Sequence, residues 1–116
     1  LVILQHQTAE GDLFYTLYGH LSEATLHGVQ VGQKISKGER FATFGAPHEN
    51  GGWPSHLHLQ VITDLLDYGA DFPGVGLASQ RAVWNAFSPD PNLLVPVPIG
   101  FNGSMIRKIG SFCWKI

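Results

Sequence analysis

The sequence predicts a mainly β fold, a compact antiparallel β-sheet with one or two short helices. Three observations carry this. The apolar runs are brief and rich in β-branched and aromatic residues, as in Leu1 to Gln5 (LVILQ) and Leu13 to Tyr18 (LFYTLY). Glycines and polar clusters punctuate them at short intervals. Helical periodicity is scarce. With 116 residues, 44% of them apolar, the chain can bury about 65% of its unfolded surface, enough for one modest core.

Taken in order, the first two runs flank Thr8-Ala9-Glu10-Gly11-Asp12, a polar, glycine-containing loop that predicts a hairpin. From Val29 to Gly45, glycines separate brief apolar segments, which predicts short strands joined by turns. Ser55 to Val61 (SHLHLQV) reads as a strand of alternating character. The best helix signal is Ser79 to Phe87, with Ser79 as its cap and Ala82, Val83 and Ala86 on one side. Ser88 to Pro98 (SPDPNLLVPVP) carries four prolines and reads as a connector. The expected division is a β domain over 1–88 and a connector and C-terminal tail over 89–116, without internal repeats.

Seven basic and nine acidic residues give a net charge of -2, so nothing points to nucleic acid or an anionic membrane as partner. No apolar run reaches the length of a membrane span, and the chain reads as soluble. A lone cysteine, Cys113, cannot form an internal disulfide, and the N-terminus lacks the signal-peptide pattern. The compartment stays open. The first residue is Leu1 rather than Met, already inside a strand pattern. The expectation is a fragment that starts in mid-fold.

The chemistry concentrates in SHLHLQV. On a strand, alternate side chains share a face, so His56, His58 and Gln60 would point one way and Leu57, Leu59 and Val61 into the core, with same-face neighbours about 6.6 Å apart. Paired imidazoles can supply a metal ligand with an acid or base beside it. They can equally be hydrogen-bonded histidines on a half-buried strand.

Leu17-Tyr18-Gly19-His20-Leu21-Ser22, then the turns at Gly32, Gly38 and Gly45, then SHLHLQV, resemble in order and spacing the lysostaphin-type zinc metallopeptidases, a peptidoglycan endopeptidase family. The resemblance covers about Leu1 to Val61. It implies an antiparallel β domain with a groove across one face and a peptide or peptidoglycan-type substrate. It further implies that His58 is a zinc ligand and that His20 and His56 flank the metal and assist catalysis. His6 matches a position without a catalytic role and is expected to be structural. A catalytic zinc takes three protein ligands and lowers the pKa of its water to about 7. One flanking histidine could then relay a proton and the other stabilise the oxyanion.

The family's other two ligands, in a His-x-x-x-Asp arrangement, would lie upstream of Leu1, so the zinc site is expected to be incomplete in this chain. His27, His48, Asp64, Asp67 and Asp71 are read as exposed polar residues rather than substitutes. Trp53 could stack on substrate and Tyr18 could contact it beside His20, but packing is the stronger account of each. A biotinyl or lipoyl carrier is excluded by the context of Lys34 and Lys37. A cupin site would need a glutamate where Ile62 and Thr63 stand.

The stretch from Ile62 through Trp84 to Leu94 also resembles the segment after the peptidase-like domain in large bacterial chains that carry phosphotransferase and class-III aminotransferase domains. The expected location is then the cytoplasm, against the cell envelope for a cell-wall hydrolase. Two functions follow from different classes. One is a partial zinc endopeptidase domain, inactive until its missing segment is supplied. The other is a non-catalytic binding or spacer module.

Overall fold

A computed structural model describes residues 1–95; of the expected connector and tail, the part from 96 to 116 lies outside the described residues. The fold is mainly β. Strands β1 (Val2–Gln7), β2 (Leu13–Gly19) and β3 (His58–Ile62) form one antiparallel sheet in the order β1-β2-β3. Short helices α1 (Glu23–Gly28) and α2 (Arg81–Phe87) accompany it.

The expected hairpin forms. Thr8 N donates to Asp12 O at 2.9 Å, Asp12 N to Thr8 Oγ1 at 3.1 Å, and Gly11 takes the left-handed backbone that the turn requires (φ 101°). In its register His6 stands opposite Phe14. The two rings stack at 4.8 Å, and His6 Nε2 lies 2.7 Å from Thr16 Oγ1. Those contacts give His6 a packing role.

The sheet's two faces follow from the pairing of Leu17 with Ile3 and Gln60, Tyr15 with Ile62, and Gly19 with His58. Side chains alternate, so His58, Gln60 and Ile62 share the face that carries Ile3, Tyr15 and Leu17. On that face Leu17, Ile62 and Phe72 form the core, with Trp84 and Phe87 packed against it. This corrects the expectation of a polar histidine face. All of β3 is buried, because the chain after it folds back over the side that alternation alone would have left to water. Gln60 Nε2 ties this cover down by donating to Pro73 O at 3.3 Å. Thr63 N and Oγ1 bond the carbonyls of Phe87 and Ala86, satisfying the end of α2.

Three further readings change. No strand forms between Val29 and Gly45; the segment runs through turns at Gly32 and Gly38, and the isolated Leu21–Phe44 bridge is its one ladder contact among the described residues. Its apolar pieces are too short and too exposed to pair, Val31 being fully in water. The C-terminal helix starts later, behind a 3₁₀ turn at Ala78–Gln80 that contains Ser79, and has no side-chain cap. It faces inward with Trp84 and Phe87, leaving Ala82, Val83 and Ala86 exposed. The larger aromatic area decides the helix's rotation. Finally, α1, which contains His27, is a helix that the sequence reading does not include. Ser22 and Gly28, bracketing Glu23 to His27, were its available start and stop signals.

Candidate active site

Gly19 ends β2, and His20 then adopts a left-handed backbone (φ 58°) that interrupts the alternation. For a residue with a Cβ this conformation is costly and persists where the surroundings enforce it. Here they do. Gly45 N donates to His20 O at 2.8 Å and Ser22 N to Thr43 O at 3.0 Å. A Cβ on Gly45 would stand 3.1 Å from His20 O and 3.2 Å from Leu21 O, so glycine permits this close approach.

The outcome is a convergence of three imidazoles. The His20 ring lies 4.6 Å from that of His56 and 5.9 Å from that of His58, centroid to centroid. His58 opens β3 and is buried, whereas His56 stands in the approach to the strand. His56 Nδ1 lies 2.7 Å from Pro54 O. A carbonyl has no proton to give, so Nδ1–H is the donor and the neutral ring keeps its lone pair on Nε2. That Nε2 is buried and makes no hydrogen bond to protein among the described residues. His58 sits between two glycines: a Cβ on Gly19 would stand 3.1 Å from His58 Cβ, and one on Gly74 2.8 Å from its Cε1.

Tyr18 and Trp53 stand differently. Tyr18 pairs with Leu59 and so projects from the face opposite His58. Its ring meets Phe41 edge-on at 5.0 Å and its hydroxyl accepts from Thr16 Oγ1 at 3.3 Å. Trp53 lies on the turn before Pro54, 45% exposed. His27, His48, Asp64, Asp67 and Asp71 are all exposed. Sequence reasoning missed Asn50, which is buried under the loop leading to His56, and Gly74, which walls His58. Gly74 carries no local signal, since it acts on a residue distant in the chain, whereas Asn50 bonds to Gly45, Trp53 and Pro54 within its own loop and its burial shows once that loop has closed.

Zinc suits these residues in kind, because imidazole nitrogen is a favoured donor and three such rings meet here. In number they fall short: among the described residues no group of three or more His, Cys, Asp or Glu side chains is arranged to hold a metal.

The imidazoles gathered at the end of the sheet's central strand make this its candidate active site. Peptidase family M23 matches residues 1–68, more than half of the chain, and the protein belongs to that family. No curated protein and no solved structure gives a significant match. The match ends before Phe72 and α2, so the segment covering the histidine face lies beyond it.

Proposed function

We propose that this domain is the C-terminal part of a zinc endopeptidase of the lysostaphin type, acting on peptidoglycan-type peptides, with His58 as one metal ligand. The convergence of His20, His56 and His58 from separate segments is the observation that carries this reading. A module free of catalytic demand has no physical need to bury one imidazole and aim two others beside it. A His-x-x-x-Asp segment of the same domain would supply the remaining ligands, as the resemblance implies.

Bound zinc would supply Lewis-acid polarisation of the scissile carbonyl and acidify water. The chain's own residues divide the rest. His56, held at Nδ1 by Pro54 O, offers Nε2 to take the proton from the attacking water and pass it to the leaving amine. His20, on its strained backbone, donates to the oxygen on which charge develops. The close approach of Gly19 and Gly74 on its two sides keeps the His58 ring in one orientation.

The test joins the chain to an upstream His-x-x-x-Asp segment and measures cleavage of glycine-rich and cell-wall peptides with metal content. Turnover stopped by a chelator supports the proposal. Metal at full occupancy with no turnover on a broad peptide panel would sink it. That outcome would favour the second reading, a non-catalytic module in a larger phosphotransferase and aminotransferase chain.

A further inference from the structure

We propose that Asn50 is a positioning residue that sets both His20 and His56 through the carbonyls of Gly45 and Pro54. Asn50 is 5% exposed, and a carboxamide so buried must spend its polar atoms on protein partners. Its Nδ2 donates to Gly45 O and to Pro54 O, each at 3.4 Å, while Oδ1 accepts from Trp53 N at 3.0 Å. One carbonyl holds an imidazole and the other belongs to a residue that anchors a histidine backbone. Pro54 O takes the Nδ1 proton of His56 at 2.7 Å, and Gly45, on the other side of its Cα, donates its N–H to the backbone carbonyl of His20 at 2.8 Å. One side chain therefore ties the carbonyl that orients the His56 ring to the residue that anchors the His20 backbone.

The loop needs such a brace. Between Ala46 and Ser55 it has no regular structure, and Gly51 and Gly52 both take left-handed backbones (φ 86° and 85°). Its local bonds, Asn50 N to Ala46 O and Gly52 N to Pro47 O, do not reach Pro54. The two Nδ2 bonds are long and individually weak, so the direction they impose comes from acting together in a buried site. Ser55 Oγ also donates to Gly45 O, at 2.9 Å, but has no bond to Pro54 O, which makes it the natural control.

The inference rests on the peptidase reading for its purpose but not for its test. Nitrogen-15 NMR of the imidazoles of the whole chain, at about pH 8 where a free imidazole is neutral, reads the tautomer directly. The unmutated protein should carry the His56 proton on Nδ1 alone, and its Asn50 carboxamide protons should exchange slowly. Asn50→Ala should lose the single tautomer and give a mixture, while Ser55→Ala should retain it. Asn50→Asp keeps the acceptor for Trp53 N and the side-chain size but lacks the donors, so it should show the same loss and serves where Asn50→Ala does not fold. A proton on His56 Nε2, or a freely exchanging Asn50 carboxamide in the unmutated chain, would overturn the proposal. So would an unchanged tautomer in either folded Asn50 variant, or an equal loss in Ser55→Ala. None of these signals depends on turnover, so the expected pattern in an inactive domain would count against the peptidase reading alone.

Discussion

Gly74 lies against the ring of His58 so closely that a methyl group there would stand 2.8 Å from His58 Cε1. The two residues are far apart in sequence, and Gly74 is beyond the part of the chain that matches the family. The metal-ligand candidate is thus shaped by the segment that folds back over it.

Gly74→Ala should therefore force the His58 ring or the 72–76 segment aside, at a cost of about 1–3 kcal/mol for overpacking. Gly28, with nothing within 4 Å of its Cβ position, is the contrast: Gly28→Ala should be neutral or stabilise by up to about 1 kcal/mol. Urea denaturation of both variants checks the pair, and equal effects would refute the contact.

Phe72 is the aromatic centre of the cover, 3% exposed and edge-on to Trp84 at 6.2 Å. Phe72→Ala should cost about 3–5 kcal/mol, a large part of a small domain's stability. Val31→Ala, at a fully exposed site, should stay within about 0.5 kcal/mol. Thermal melts of the two variants distinguish a packed cover from a loosely attached one.

Zinc binding by the present chain should be weak, because each ligand missing from a site removes a bond and preorganisation together. Titration calorimetry showing sub-micromolar, one-to-one binding abolished by His58→Ala would place a full ligand set inside this chain. In the domain completed with a His-x-x-x-Asp segment, His58→Ala should remove metal and activity together. His56→Ala and His20→Ala should spare metal and lower turnover, by roughly 10²-fold or more.

Stability should fall toward acid in two windows with different causes. Burial lowers the His6 pKa below its ordinary 6.5, so the unfolded chain takes up a proton first. The stability from neutral His6 is complete above about pH 6.5 and declines as pH falls toward the folded value. Glu49 is held below its ordinary 4.5, first by the N–H of Glu23 and then by that of Ala46, at 2.9 Å and 2.8 Å. Its contribution, which caps α1 from a distant loop, is present above pH 4.5 and fades below it. Denaturation midpoints against pH should lose the upper step in His6→Gln and the lower step in Glu49→Gln.

Much of this protein was legible locally. The hairpin from Val2 to Gly19 follows from apolar runs around a glycine turn, and strand register then fixes which of His58, Gln60 and Ile62 share a face. The Tyr-Gly-His-Leu and His-x-His stretches likewise marked His20, His56 and His58, because imidazoles are rare enough in apolar runs to stand out. Tertiary structure decided what covers each face. Period-two alternation says which side chains point together but nothing about what meets them, so the burial of the His58 face by Phe72, Gly74 and Trp84 had no local signal. The same holds for the helix ending at Phe87, whose rotation was set by the core it joined rather than by its own alanines. It holds for Asn50 and Gly45 too, whose hydrogen bonds to neighbours of the histidines exist only once the 45–56 loop has closed over the end of β2.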